Sequence, residues 1–154
     1  MKSILASLVM LFSNNLYHDT TARLGLIQSL QLTKQEELCL IKNAYHEAFN
    51  QGTIGMALVT KVVMNRAYNS NKTFCDIVYA PFQFSWTLSK ERYINKKDFE
   101  KVKSVVLNVY HGILEVPYEF KTATFFHTKA VKPKWRKKVI RVGVWKDHIF
   151  YKTP

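Results

Sequence analysis

Cys39-Leu-Ile-Lys-Asn-Ala-Tyr-His-Glu-Ala48 opens the stretch whose reading decides the fold. A Gly-marked turn (Gly52, Gly55) and an apolar helix ending Met64-Asn65-Arg66 come next, then Phe74-Cys-Asp-Ile-Val-Tyr79 and Gln83-Phe-Ser-Trp86. Just upstream, Thr33-Lys-Gln-Glu36 has the capping-box pattern, so a helix is expected from about Lys34 to Phe49. At about 100° per residue, Leu38, Ile41, Ala44, Tyr45 and Ala48 share one arc. Glu47 falls just beyond Ala44 and Leu40, at the margin of that face. A carboxylate there is half desolvated, which raises its pKa toward the value a general acid needs. His46 turns about 100° away, toward Cys39, and is a poor partner for Glu47.

Working outward, a second helix is expected over roughly Thr53 to Tyr68. It is apolar almost all round, as a central buried helix should be. Thr73 to Tyr79 reads as one or two helical turns stopped by Pro81. Phe82-Gln-Phe-Ser-Trp86 sets three aromatics beside an amide and a hydroxyl, a composition that suits sugar rings and equally suits a core. A third helix is expected over roughly Lys97 to Leu114, with Phe99, Val102, Val105, Val106, Val109 and Ile113 at helical spacing. Beyond Pro117, Thr122 to His127, Val139 to Val144 and His148 to Tyr151 are rich in β-branched and aromatic residues, with a turn near Lys146-Asp147. The fold class is α+β, a helical bundle carrying a small antiparallel sheet in its C-terminal part.

The 154 residues suit one domain, and 47% hydrophobic residues with 14% aromatics exclude disorder. The net charge of +12 favours polyanionic partners, and much of it lies between Lys129 and Arg141. Met1-Lys2-Ser3 followed by the apolar run Ile4 to Phe12 fits a short secretory leader, and also an N-terminal helix packed on the domain. That run is too short for a membrane span of about 20 residues. Residues 1–32 are therefore assigned to leader and linker, and 33–154 to the functional domain. Cys39 and Cys75 would pair if the chain is exported, or sit as small buried hydrophobes if it stays in the cytosol.

With 11 acids, the carboxylates sort by elimination. Glu36, Glu37, Asp98 and Glu100 lie in first helical turns, where they serve caps and dipoles; Asp19 lies in the leader region. Of Glu47, Asp76, Glu91, Glu115, Glu119 and Asp147, only Glu47 sits among aromatics and small residues on a helix. A two-carboxylate glycosidase needs a second acid about 5 to 9.5 Å away, and no spacing suggests one. The pattern favours one acid, or a nucleophile belonging to the substrate, such as the 6-hydroxyl of a muramic sugar. His46-Glu47 begins a zinc-protease pattern, but Asn50 stands where the second histidine would be. His46, His127 and His148 are read as ordinary polar contacts rather than a metal site, and no metal or other cofactor is expected.

The chain resembles the cell-wall hydrolase family typified by the spore-cortex-lytic enzymes of bacilli (the SleB/CwlJ type), which also occurs in phage and other bacterial genomes. The residues that carry the resemblance are Cys39-Leu40, Tyr45-His46-Glu47-Ala48, Gly55, Asn65-Arg66, Cys75-Asp76-Ile77-Val78, Gln83-Phe84-Ser85-Trp86, Ala123-Thr124, His127, Trp135, His148, Phe150 and Tyr151. The resemblance implies a lysozyme-like domain that acts on peptidoglycan as a lytic transglycosylase or muramidase, with Glu47 as catalytic acid. The family's Arg-Gly-Glu after Glu-Ala is here Phe49-Asn50-Gln51, so its second carboxylate is neutral. The Gly of its Gly-x-His pattern is also replaced, and the turn before His148 is expected to be rebuilt. Phe125 and Phe126 stand where a hydrogen-bonding ring is common, which leaves them packing or stacking roles.

The expectation is a peptidoglycan glycosidase in which Gln83, Phe84, Ser85, Trp86 and Phe125 line the cleft and Tyr45 and His127 sit at its edges. The basic patch from Lys132 to Arg141 would hold anionic wall polymers or be a solvated face; no nucleic acid is expected, and the enzyme would be an exported or wall-associated monomer. The competing reading is a non-catalytic wall-binding or virion structural protein that keeps the fold. A nucleic-acid-binding module, suggested only by charge and aromatics, comes third.

Overall fold

Helix α1 (Lys34–Ala48) buries Cys39, Leu40, Ile41, Asn43, Ala44 and Ala48. This face is centred nearer Leu40 than the expected arc, because Leu38 and Tyr45 are only half-buried. At 100° per residue Glu47 falls between Asn43 and Ala44, well inside the face rather than at its margin. The cause is that α1 is covered from several sides, by the helices introduced below. The computed structural model describes residues 31–90 and 92–154. The leader and linker through residue 30, and Glu91, lie outside the described residues.

A single 3-10 turn, Phe49–Gln51, leads through Gly52 (φ 77°) into α2, Gly52–Ser70. Met56, Ala57, Leu58, Val59, Val62 and Val63 are buried on successive faces of α2, so it is the central helix that its all-round apolarity predicts. Asn71 closes it in the left-handed conformation, its N–H donating to the carbonyls of Ala67 and Tyr68. Helix α3 (Phe74–Val78) opens with a true capping box: the Thr73 hydroxyl accepts from the Asp76 amide, and the Asp76 carboxylate accepts from the Thr73 amide.

Helix α4 (Lys96–Tyr110) is capped by Asn95, whose side chain accepts from the Asp98 amide. It stops four residues before the expected Leu114, because Gly112 takes φ 71° and turns the chain out of the helix. Ile113, which the spacing places on the buried face, is therefore 73% exposed.

The sheet holds β1 (Phe125–Thr128), β2 (Ile140–Trp145) and β3 (His148–Lys152), antiparallel in the order β1-β3-β2. Strand β3 is central, and its Phe150 is fully buried between Phe126 and Phe120. The β2–β3 turn falls at Lys146-Asp147 as expected; Lys146 adopts φ 45°, a left-handed position that glycine fills most easily. A bulge between Arg141 and Gly143 shifts the β2 register. At Gly143 a Cβ would meet the Phe120 ring at 2.6 Å, so this close approach needs glycine.

Of the two readings for the cysteines, the paired one holds: a disulfide joins Cys39 on α1 to Cys75 on α3, with Cα atoms 5.4 Å apart. It closes a loop spanning 36 positions. Reduction, or replacing both cysteines by serine, is expected to cost about 2–4 kcal/mol of stability. Urea unfolding with and without reductant measures it, and an identical midpoint in both would show that the bond contributes nothing.

Candidate active site

Glu47, next to the end of α1, faces a cleft of about 700 Å³. The loop Phe82–Ser85 forms one side of the cleft, β1 with Val131 and Trp135 the other, and Val62 and Arg66 of α2 line it too. Glu47 also lines a smaller cleft of about 320 Å³, together with Tyr45, Gln51, Asp147 and His148. The carboxyl thus stands where two concavities meet. Burial pushes its pKa from 4.5 up to about 7, and no neighbouring charge contributes. At neutral pH a large fraction of Glu47 carries its proton.

Two adjacent residues of α2 hold the walls. The Asn65 side-chain amide donates to the carbonyls of Lys121 (3.0 Å) and Ala123 (2.8 Å), fixing the chain that enters β1. The Arg66 guanidinium donates to the Gln83 side-chain carbonyl, fixing the opposite loop. That loop is anchored again one turn on: Trp86 Nε1 donates to the buried Asn43 Oδ1 at 3.1 Å, and its ring stacks on His46 at 4.5 Å.

Of the residues expected to bind substrate, Gln83, Phe84, Ser85, Phe125 and His127 line the larger cleft with Glu47, and Tyr45 lines the smaller one. Trp86 lines neither, because its ring and its N–H are both spent on α1. His127 lines the cleft with both nitrogens engaged. Nδ1 donates to the Thr128 carbonyl at 2.8 Å, and Nε2 lies 2.9 Å from the Tyr151 hydroxyl. A carbonyl only accepts, so Nδ1 carries a proton and Nε2 of the neutral ring accepts from Tyr151. Phe125 packs near Trp135, and Phe126 lies among Phe84, His148 and Phe150. Among the described residues no three His, Cys, Asp or Glu side chains cluster as a metal site, so His46, His127 and His148 do not converge on one.

The other carboxylates left by the elimination divide cleanly. Asp76 is consumed by its capping box, which holds its pKa down. Glu115 pairs with Lys121 at 2.7 Å in the open, and Glu119 is exposed in a 3-10 turn away from either cleft. Among the described residues, only Asp147 shares a cleft with Glu47. Gln51, 3% exposed, holds it with two hydrogen bonds: its Nε2 donates to Asp147 Oδ2 and its Oε1 accepts from the Asp147 amide, both at 3.1 Å.

Sequence reasoning missed Phe82, Arg66 and Asp147 as cleft residues. Phe82 is 87% exposed on the rim and takes φ 60°, a costly conformation for a bulky residue and one that concentrates at functional sites. Pro81, which ends the preceding segment, was the one signal of a tight turn there.

The family model described as cell wall hydrolase matches residues 50–151, a segment that starts just after Glu47. In structure the chain is similar to the catalytic domain of the germination-specific lytic transglycosylase SleB from Bacillus anthracis. The TM-score is 0.65 at 19% identity, covering 79% of this chain and 97% of that one. The catalytic domain of the Bacillus cereus SleB protein gives 0.62 at 22% identity, with 79% and 94% covered. These likenesses bear out the lysozyme-like α+β fold. No curated protein matches the chain in sequence.

The raised pKa of Glu47 carries a stability consequence. Between 4.5 and about 7 the folded chain binds a proton that the unfolded chain has released, so stability falls as pH rises through this window. The full loss is on the order of 3 kcal/mol. Glu47→Gln is expected to unfold at higher urea than the parent at pH 8 and to match it at pH 4. Equal midpoints at pH 8 would show that the carboxyl is not desolvated.

Proposed function

The chain belongs to the cell wall hydrolase family and is a peptidoglycan-degrading enzyme, and from that premise we propose that it cuts the glycan strand with Glu47 as its acid and base. The observation that carries this reading is a desolvated carboxyl, its pKa raised to about 7, on the lining of two clefts. A strand laid through both would present a glycosidic oxygen to it. Glu47 gives its proton to that oxygen as the bond to C1 breaks, releasing the sugar on the far side as an alcohol. The carboxylate left behind takes the proton of the muramic 6-hydroxyl as that oxygen attacks C1 and closes a 1,6-anhydro ring. That proton returns Glu47 to its acid form, so neither water nor a second acid is required. The lytic transglycosylase activity named for the Bacillus anthracis neighbour supports this outcome over hydrolysis.

Zymography and mass analysis of released muropeptides test the assignment. Glu47→Gln is expected to lose activity by about 10²–10⁴-fold. Parent activity should fall about tenfold per unit above pH 7, as the acid deprotonates. Products should be lighter by one water than hydrolysed ones. Equal clearing by parent and variant would remove Glu47 from the mechanism, and no clearing by either would favour a wall-binding protein.

The substrate and the disulfide together support an exported or wall-associated enzyme, since disulfides persist in oxidising compartments. The exposed cations Lys132, Lys134, Arg136, Lys137 and Lys138 flank Trp135 at the cleft mouth, where they would hold anionic wall polymers. Replacing these five by glutamine should weaken sedimentation with sacculi at low salt and flatten its salt dependence. An unchanged salt dependence would leave the patch a solvated face.

A further inference from the structure

Glu47 and Arg66 are the only Asp, Glu, Lys or Arg side chains among the described residues that line the larger cleft. Arg66 is half-buried, and burial lowers its pKa, the mark of a cation held partly out of water. Its side-chain partner is the neutral Gln83, and among the described residues no carboxylate pairs with it. A guanidinium has five N–H donors, so the Gln83 bond leaves most of them unused.

A lone cation in a site that breaks glycosidic bonds needs a reason. The transition state at C1 is positively charged, so a cation nearby opposes it unless the substrate brings an anion. The rest of the lining, Phe82, Phe84, Phe125 and Trp135 among them, is apolar or neutral and offers Arg66 no compensation. Holding Gln83 would not by itself call for a charge, since a neutral amide donates the same bond.

We infer that Arg66 is the seat of a carboxylate-binding subsite, which takes an acid group carried on the muramic residue of the strand. This rests on the reading of the cleft as a peptidoglycan site. Two sources supply that chemistry: the lactyl carboxylate of a muramic residue without its peptide, and the free carboxylates of the stem peptide. Arg66 binds either as a charge-assisted, bidentate pair. The subsite orients the strand by its muramic sugar, so that the 6-hydroxyl of the correct ring faces Glu47.

The test is equilibrium binding to the full chain carrying Glu47→Gln, which keeps the ligands uncut. The probes are the N-acetylglucosaminyl–N-acetylmuramic acid disaccharide, its lactyl amide, the disaccharide bearing an alanyl-glutamate stem, and that stem fully amidated. We expect a carboxylate to bind about tenfold more tightly than its amide. A preference in the first pair assigns the lactyl group, and one in the second pair assigns the stem. Adding Arg66→Gln should bring the ratio to about one, whereas Arg66→Lys should keep part of it. A ratio near one with Arg66 intact, or a ratio that survives Arg66→Gln, overturns the subsite. The ratio with Arg66 intact decides the matter even if the glutamine variant does not fold. Cleavage of sacculi by the parent chain is read in parallel: its absence beside a retained ratio would sink the enzymatic reading and leave the subsite standing.

Discussion

Water is kept from one carboxyl, and the architecture follows from what that requires. An acid on the buried face of a helix is unfavourable when ionised, so Glu47 titrates near 7 rather than near 4.5. Maintaining the effect takes a helix that does not fray. The disulfide to α3 fastens α1 midway, and Glu37 pairs with Lys103 of α4 at 3.0 Å. Beyond Ala48 the chain turns at once into α2, so the acid lies between two covered helices and not on a loose end.

The cleft exists because α2 reaches both of its walls. Asn65 and Arg66 are neighbours, so their side chains leave the helix about 100° apart. One binds the lead into β1 and the other binds the loop at Gln83. Two elements more than thirty residues apart in sequence are thereby held in two different directions around one helix. Trp86 and Asn43 repeat the device between that loop and α1. The cleft walls are consequently built from short irregular segments whose positions are set by side-chain hydrogen bonds to rigid helices, an arrangement suited to precise placement of a substrate.

What could be read in the sequence was what depends on local periodicity. The helices, the strand-rich end, the Lys146-Asp147 turn and the singling out of Glu47 among the acids all follow from spacing and caps within a few residues. Errors arose where a distant partner decides the outcome. Trp86 looked like a sugar platform because its stacking on His46 cannot be seen from neighbours in sequence. Helix α4 was drawn too long because the helical spacing of apolar residues continues past the Gly112 that ends it. The smaller cleft was invisible for the same reason, since it joins α1 to a hairpin about a hundred residues later.

The two departures from the family pattern, at Gln51 and at the turn before His148, are one departure. Gln51 is nearly fully buried, and both ends of its amide are occupied by Asp147, with Asn50 Oδ1 also accepting from Nε2 at 3.0 Å. A glutamate at 51 has no N–H to give. Its carboxylate would lie about 3 Å from that of Asp147, a spacing at which two carboxylates cannot both ionise. With Asp at 147, position 51 must therefore carry a donor, and glutamine supplies it without changing the shape of the side chain. The neutral residue at 51 does not strip the smaller cleft of acid; it holds one there, on the hairpin instead of the helix. Among the described residues, Asp147 is the one carboxylate besides Glu47 that lines the smaller cleft, and Gln51 sets its position.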